Sequence, residues 1–97
     1  MLKVDPEQLR ASAGRLRALS EKIGECYNEM ISINSELQAT YEGASAVSFD
    51  QFVEGTAKPV LDRTRELCYD TGRGLDHTAT QFEEADQTMS GVFNTAL

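Results

Sequence analysis

Apolar residues in the first part of the chain recur every seven positions, with polar and charged residues between them. One line of this repeat consists of Leu9, Leu16, Ile23, Met30 and Leu37, and a second consists of Leu19, Cys26 and Ile33. This spacing is typical of a helix that packs against other helices. Tyr27 and Tyr41 widen the stripe, which indicates more than one helical neighbour. We predict a helix over about 6–41, which Asp5 caps and Pro6 opens.

A tight break at Tyr41-Glu42-Gly43 precedes a second apolar pattern, which has the same helical period. This pattern contains Ala46, Phe49, Phe52, Val53, Val60, Leu61, Leu67, Cys68, Leu75, Phe82, Ala85, Met89, Val92 and Phe93. Pro59 lacks a backbone donor and presses on the carbonyl four residues before it, so we expect a bend there and not an end. Gly72 and Gly74 each cost roughly 1 kcal/mol relative to Ala. Fraying at this pair, with a third helix from about 75 onward, is the alternative interpretation.

The two patterns together predict an all-α protein, an antiparallel hairpin of two long helices with its turn at 41–44. At the turn, the aromatic ring of Tyr41 would close one end of the helical pair. Gly43 would supply the left-handed conformation that ends a helix. The composition does not shift along the chain in the way that marks a linker or a repeat, so residues 1–97 form a single domain.

The turn fixes which residues of the two helices face each other. Their numbers should sum to about 86, which places Cys26 near Val60 and Cys68 near Ala18. The two cysteines are then offset by roughly 12 Å along the helices, too far for a disulfide within the chain. We expect buried or half-buried free thiols, and a disulfide between chains is the alternative.

The second helix extends beyond the start of the first. By the same register, residues from about 81 onward have no partner on the first helix, and roughly 12 helical residues would extend close to 20 Å beyond it. This segment nevertheless carries apolar residues at helical spacing: Phe82, Ala85, Met89, Val92 and Phe93. An apolar stripe without a neighbour in its own subunit should bind another molecule.

Phe82 and Asp86 are four residues apart in this segment and share one face of the helix. An aromatic ring can fill an apolar pocket while a carboxylate one turn away meets a basic group at the rim of that pocket. The alternative is that Phe82 belongs to the core and Asp86 is simply solvated.

Charge and composition exclude several classes of function. The net charge of −7 and the pI near 4.5 argue against binding to nucleic acids and anionic membranes, which select basic surfaces. No apolar run has the length of a membrane span, and the N-terminus lacks the features of a cleavable signal. If the chain leaves the cell, it therefore uses a route that accepts folded or unusual cargo.

The sequence also argues against an enzyme. His77 is the one histidine, and cysteines and histidines do not cluster at metal-binding spacing. Gly72-Arg73-Gly74 lacks the strand and the third glycine of a dinucleotide-binding loop. Glu83, Glu84 and Asp86 would lie on an exposed helix, where burial cannot raise a carboxyl pKa for catalysis. We expect no catalytic activity, metal, cofactor or small-molecule substrate.

Three short motifs occur in order along the chain. They are Val4-Asp5-Pro6-Glu7, Tyr41-Glu42-Gly43 followed by Phe49 and Phe52, and Phe82-Glu83-Glu84-Ala85-Asp86 leading to Phe93. In this combination and over the whole chain, they resemble the WXG superfamily of type VII secretion systems. The resemblance implies a hairpin that pairs into an antiparallel four-helix bundle, with itself or with a related protein. It also implies a composite export signal, which joins the turn of one subunit, here Tyr41 and Gly43, to a tail element of another, here Phe82 and Asp86.

Two positions differ from the usual superfamily pattern, since Tyr41 replaces Trp and Phe82 replaces Tyr. In this the chain looks most like the small WXG-like proteins that accompany LXG-type toxins. That resemblance implies a non-enzymatic targeting factor, which binds the helical N-terminal region of a toxin and presents an export signal to a secretion ATPase. Such a protein works in the cytoplasm, and it is co-exported to the cell surface or beyond in one variant of this interpretation.

Two other functions stay open at this point. One is a secreted substrate that dimerises with itself and carries no cargo, and the other is a structural coiled-coil subunit, which needs only the heptads. The expected interface uses apolar helix positions, namely Leu9, Leu16, Ile23, Met30, Leu37, Phe49, Phe52, Met89 and Phe93.

Overall fold

The computed structural model describes residues 4–96, with side chains to residue 91, and over this range it is a helical hairpin without strands. The first arm is helix α1, Pro6–Thr40. The second arm contains helix α2, Ala44–Phe52, a π-helical turn at Val53–Ala57, and helix α3, Lys58–Ala96. The predicted all-α hairpin and its turn are confirmed.

The start of α1 follows the sequence signals. The Asp5 carboxylate accepts a hydrogen bond from the backbone N–H of Glu7 at 2.9 Å, and Pro6 occupies the first helical position. Both features suit a helix N-terminus, where the first N–H groups lack partners within the helix.

The turn begins at Tyr41, whose extended backbone ends α1 and whose N–H donates to the carbonyl of Leu37. Gly43 has φ 121° and ψ −178°, a region that essentially only glycine occupies. The expected positive φ is therefore confirmed. Its role differs from the prediction, because Gly43 precedes α2 as its N-cap residue and does not end α1.

Small residues form the line along which the two arms touch. Ala13 and Ala79 are fully buried, and Ser20 and Gly72 are also buried. A Cβ atom added at Gly72 would lie only 3.1 Å from the carbonyl oxygen of Ala13, so the two backbones approach closely here. The Ser20 hydroxyl donates to the carbonyl of Arg65 at 3.1 Å. Both contacts join residues whose numbers sum to 85, which confirms the predicted register.

A polar network fixes the register near the turn. The buried Asn34 donates from Nδ2 to the carboxylate of Asp50 at 2.9 Å. Gln38 donates both to the Asn34 side-chain oxygen at 3.1 Å and to the carbonyl of Ala46 at 2.8 Å. A shift of one arm along the other would break these bonds and leave buried polar groups unpaired, which is costly.

The π-turn aligns the two parts of the second arm. Val53 is 1% exposed and faces α1, as Gly72 does, but the two residues are 19 positions apart. Five α-helical turns take 18 residues, so in a regular helix Val53 would be rotated by about 100° from the contact line. The wider π-turn absorbs the extra residue. Across it, Lys58 donates to the Glu54 carboxylate at 3.0 Å, and this hydrogen bond raises the pKa of the Lys58 amine.

Helix α3 continues without a break from Lys58 to Ala96. The expectation that the helix does not end at Pro59 is confirmed, and the irregularity takes the form of the π-turn that immediately precedes this proline. The alternative of a third helix from about 75 is wrong. Gly72 belongs to the contact line, where a larger residue would not fit, and does not weaken the helix there.

The cysteines are both free, Cys26 exposed and Cys68 half-buried. The expectation of a buried or half-buried thiol is therefore wrong for Cys26. The reason is that the contact line of α1 passes through the small residues, so the heptad line of Cys26 points away from the second arm.

The hairpin is too elongated to build a core of its own. It measures 80 × 18 × 16 Å, with a radius of gyration of 22.3 Å, where a compact chain of this length would have about 13 Å. Its accessible surface is 7516 Å², and a compact monomer of this mass would expose about 5,500 Å². Among the described residues, Val53 is the one large side chain that is fully buried. Stable folding at this length therefore favours a partner.

We predict that Gly72→Val destabilises the hairpin by about 1–3 kcal/mol more than Gly74→Val, because only the first forces the two backbones apart. A Cβ at Gly74 meets no atom within 4 Å, so this control carries the same change in helix propensity without the clash. Urea denaturation followed by circular dichroism, at one protein concentration, measures the difference. Equal destabilisation by the two substitutions would contradict a close approach at Gly72.

Candidate partner-binding surface

Large apolar side chains of both arms are exposed to solvent along the hairpin. Six residues, here called the outer face, share this property: Leu19, Cys26, Ile33, Phe52, Val60 and Leu67. The five other than the cysteine are between 45% and 57% exposed. Large apolar side chains that are exposed on one face of a protein make that face a candidate binding surface.

The outer face lies on one side of the hairpin. Around the axis of α1, Cys26 lies about 120° from Ser20, which is on the contact line. Around the second arm, Val60 lies about 120° from Gly72. Both rotations have the same sense when each helix is viewed from its N-terminus. In antiparallel helices, equal rotations lead to the same side of the pair. The opposite rotation leads to Arg17 and Asp76, and these two side chains do meet, at 2.5 Å.

Ion pairs occupy that opposite side, near the open end of the hairpin. Arg10 donates to the Glu83 carboxylate from Nε at 2.9 Å and from Nη2 at 2.6 Å, and it also donates to the Thr80 hydroxyl at 3.1 Å. Arg17 binds Asp76. These pairs are partly solvated, so each adds little stability, but they hold the second arm against the first at the point where the first begins.

The contact of Arg10 with Thr80 and Glu83 is here called the clamp. The helix beyond it is exposed to solvent. Every residue from Thr80 to Gly91 is exposed, and the helix continues to Ala96. The predicted overhang is confirmed. Contacts between the two arms extend to Glu83, about one helical turn further than the expected end near residue 80. Phe82 is 41% exposed and Asp86 is exposed on the adjoining part of the same face, with Met89 one turn beyond.

The turn forms the other end of the molecule. Tyr41 is 64% exposed and borders an open hollow together with Leu37, Glu42, Ser45, Ala46 and Phe49. From this hollow to Phe82, the distance along the hairpin is roughly 55 Å. The structure therefore does not bring together the two parts of the expected export signal, Tyr41 with Gly43 and Phe82 with Asp86, within one chain.

The predicted interface residues fall into three groups. Half-buried residues flank the contact line on the side of the outer face: Leu9, Leu16, Ile23, Met30, Leu37 and Phe49. Phe52 and Met89 are exposed. Phe93 lies outside the residues whose side chains are described. The half-buried group touches the second arm on one edge and leaves the other edge open, and its role in binding a partner stays a prediction.

Sequence reasoning missed the line of small and polar residues that joins the arms, because it selected positions by hydrophobicity. The available signal was the spacing of Ala13, Ser20, Tyr27 and Asn34, which are also seven residues apart. It missed the Arg10 clamp as well, since the pairing of long charged side chains depends on the register near the open end.

Within residues 4–96, acidic, histidine and cysteine side chains nowhere form a group that could hold a metal ion. The search of the same residues for a helix both long and apolar enough to span a membrane found none.

Comparison with known proteins supplies the family. The model of the WXG100 family, described as proteins of 100 residues with WXG, matches residues 1–87. The chain belongs to the WXG100 family. In the segment that gives this family its name, the chain has Tyr41-Glu42-Gly43.

Individual WXG100 relatives match over almost the whole chain. Protein YukE of Bacillus subtilis is 31% identical over 91 residues, which cover 93% of this chain and 92% of YukE. Type VII secretion system extracellular protein A of Staphylococcus aureus is 25% identical over 93 residues, 96% of this chain and 95% of that protein. The crystal structure of EsxA from Geobacillus thermodenitrificans has a TM-score of 0.83 at 27% identity and covers 93% of this chain and 97% of its own.

These findings confirm the resemblance to the WXG superfamily and the helical-hairpin fold. WXG100 proteins are non-enzymatic helical proteins that work in type VII secretion and often dimerise. The finer resemblance, to the partners of LXG toxins, stays a prediction.

We predict that Arg10→Ala lowers the free energy of unfolding by about 0.5–1 kcal/mol at low salt, because it removes the clamp to Glu83. The loss should shrink at roughly 0.5 M NaCl, since exposed ion pairs are screened. Arg63→Ala, at an exposed position of α3, is the charge-matched control. Equal effects of both substitutions at every salt concentration would show that the clamp contributes nothing.

Proposed function

We propose that this WXG100 protein is an exported component of a type VII secretion system, which pairs with a second helical protein through its outer face. Its tail, with Phe82 and Asp86, is then presented to the secretion machinery. The observation that carries the proposal is the overhang, a helical segment that is exposed on all sides and still bears an aromatic and an acidic residue one turn apart. The family and its extracellular relatives support the same pathway.

The surface area supports the pairing. The chain exposes about 2,000 Å² more than a compact monomer of its mass. A stable protein interface buries about 1,200–2,000 Å² over both partners, and obligate dimers bury more. Packing a second hairpin on the outer face would give a four-helix bundle and would bury the apolar side chains that one hairpin leaves in water.

The two ends of the hairpin support a composite signal. Tyr41 and Phe82 lie at opposite ends of one chain, so only a second, antiparallel subunit can place a turn beside a tail. The signal would then exist in the assembled pair and be absent from the monomer. A secretion machine that recognises such a signal would select paired, folded cargo.

The chemistry of the tail suits a basic receptor with an apolar pocket. The last lysine or arginine of the chain is Arg73, and the residues after it include four acids: Asp76, Glu83, Glu84 and Asp86. An aromatic ring supplies affinity by filling a pocket, while a carboxylate at its rim selects the orientation. We propose the secretion ATPase or its receptor as the partner, with several weak helix contacts that add up through avidity.

A second candidate function is binding of the helical N-terminal region of a larger exported toxin of the LXG type. The observation that favours it is the apolar residue Met89, which is 55% exposed near the end of the overhang. A hairpin of the same length, aligned antiparallel, extends its own tail in the opposite direction and leaves this segment uncovered. A third helical protein could therefore bind there. In this case the chain serves as a targeting factor and leaves the cell together with its cargo.

We predict that Phe82→Ala or Asp86→Ala reduces the amount of the chain in the culture supernatant by at least about tenfold, which corresponds to a loss of about 1.4 kcal/mol in receptor binding. The cellular amount and the paired state should not change, because Asp86 lies beyond the clamp and the exposed Phe82 ring takes no part in the hydrogen bonds of Arg10 to Thr80 and Glu83. Glu84→Ala removes an equal charge from another side of the same helix and should export normally. Normal export of both variants would refute the tail as a signal.

A strain that lacks all LXG-type toxins separates the two candidate functions. The self-paired substrate should still be exported at the wild-type level, because it needs no cargo. A targeting factor should accumulate in the cell. Immunoblotting of cell and supernatant fractions distinguishes the two results, with a cytoplasmic protein as the control for lysis.

A further inference from the structure

We infer that Pro59 is a positioning residue for the outer face. It fixes the place of the π-turn, and the place of the π-turn decides which side of the hairpin Val60 and Leu61 occupy. This inference rests on the pairing through the outer face that is proposed above, and it names a residue outside that face on which the pairing depends. Its basis is that the second arm is attached to α1 at two places and contains one residue more between them than regular winding needs.

The two attachments to α1 lie on either side of the π-turn. Toward the turn of the hairpin, Val53 is 1% exposed against α1, and Asp50 accepts a hydrogen bond from the buried Asn34 at 2.9 Å. Toward the open end, the carbonyl of Arg65 accepts a hydrogen bond from the buried Ser20 hydroxyl at 3.1 Å. Neither part of the arm can rotate without leaving buried polar groups unpaired, which is costly. The extra residue must therefore be accommodated between residues 53 and 65.

The place of the extra residue decides the direction of the side chains between the two attachments. With the π-turn before Val60, counting back from Gly72 puts Val60 about 120° and Leu61 about 20° from the contact line. Their exposure agrees, since Val60 is 57% exposed and Leu61 is half-buried. With the extra residue after Leu61, counting forward from Val53 gives about 20° for Val60 and about 80° for Leu61. Val60 would then leave the outer face, and Leu61 would turn toward solvent on the side of the ion pairs.

Pro59 explains why the extra residue is taken up where it is. In a regular helix the proline ring presses on the carbonyl four residues before it, here that of Gly55, and no N–H is present to bond with this carbonyl. A π-turn is wider, so the carbonyl does not have to face the ring. The N–H of Lys58 donates to the carbonyl of Val53, five residues earlier, so the wide turn ends immediately before the proline. Any other place for the extra residue would return Pro59 to a regular helix with its clash.

The ion pair across the π-turn is a weaker candidate for the same role. Lys58 donates to the Glu54 carboxylate at 3.0 Å, but the Glu54 side chain is 54% exposed, and exposed pairs contribute little free energy. The two residues could also pair in a regular helix, where a spacing of four positions brings side chains together. The ion pair therefore does not distinguish the π-turn from regular winding, whereas the proline does.

Thiol labelling measures the direction of the side chain at position 61. The reporter is a Leu61→Cys chain without the native thiols (Cys26→Ser, Cys68→Ser), and its half-buried thiol should react slowly with N-ethylmaleimide. Adding Pro59→Ala removes the clash, lets the extra residue move past position 61, and should raise the reaction rate at least about fivefold. Leu75→Cys in the same background is the matched control, because Leu75 is also half-buried on this arm but lies beyond both attachments. Its rate should not change.

Deletion of Gly55 supplies the rescue. Gly55 lies in the π-turn, and a Cβ atom there would meet nothing within 4 Å, so its removal deletes no packing contact. Val53 and Gly72 are then 18 positions apart, and the arm winds regularly from one to the other. In a chain with both Pro59→Ala and the Gly55 deletion, no extra residue is left to move. The Leu61→Cys thiol should again react within about twofold of its rate in the reporter chain.

Urea denaturation at one protein concentration tests the link between the proline and the extra residue. In the chain with Pro59, deletion of Gly55 sets the proline in a regular helix and should raise the equilibrium constant for unfolding by about 100-fold. In the Pro59→Ala chain, the same deletion should change this constant by less than about tenfold, because no ring is present to clash. Glu54→Gln, which removes the ion pair, should leave this difference between the two chains unchanged. Equal effects of the deletion in both chains would overturn the inference.

Export measures the consequence for the outer face. Pro59→Ala should lower the amount of the chain in the culture supernatant at least about threefold, because Val60 turns away from the partner in the molecules that have shifted. The Pro59→Ala chain that also lacks Gly55 should be exported at the level of the starting chain. If Pro59 were only tolerated in the helix, Pro59→Ala would instead strengthen the fold and leave export unchanged, since alanine is the better helix former.

The outcomes separate this inference from the proposed function. An unchanged Leu61→Cys rate in the Pro59→Ala chain, or a raised rate that the Gly55 deletion does not reverse, would overturn the role of Pro59 and leave the outer face as the proposed pairing surface. A raised rate that the deletion reverses, together with normal export of the Pro59→Ala chain, would support the control of the π-turn by Pro59 and refute the dependence of export on the outer face.

Discussion

The close approach of the two arms at Ala13 and Gly72 determines the rest of the structure. Because small residues occupy the contact line, the backbones come together and leave no space between them for large side chains. Those side chains are therefore displaced to the outer face, where one hairpin cannot cover them. A molecule built in this way has well-defined helices and register but little core, so any helical protein that covers the outer face would stabilise its fold.

Different parts of the hairpin carry different kinds of side chain. One side carries partly solvated ion pairs, which join the two arms near the open end. The other side carries the apolar residues, and the two ends carry the turn with Tyr41 and the tail with Phe82. The WXG100 relatives match along nearly the full chain, so the similarity covers the whole hairpin and is not confined to one short motif. Membership in the family connects the chain with type VII secretion.

Much of the fold could be predicted because helical periodicity and turn residues are local signals. The start at Asp5, the turn before Gly43, the register and the overhang all followed from them. The small contact line was missed because burial of Ala13 and Ser20 depends on how closely the arms approach, which hydrophobicity does not report. The exposure of Cys26 was misjudged for the same reason. The candidate site was predicted as a list of residues, whereas its separation into an outer face and two distant ends required coordinates.

The π-turn at Val53–Ala57 has a consequence for how this sequence can change over time. Removing one residue from it would set Val53 and Gly72 18 positions apart, which is five regular turns, so both would stay on the contact line in an uninterrupted α-helix. Regular winding without that deletion would instead rotate Val53, and everything back to the turn, by about 100° around the arm, and Ala46 would leave α1. The second arm therefore holds one residue more than regular winding needs, and a change of one residue in its length can be absorbed locally without moving either end of the molecule.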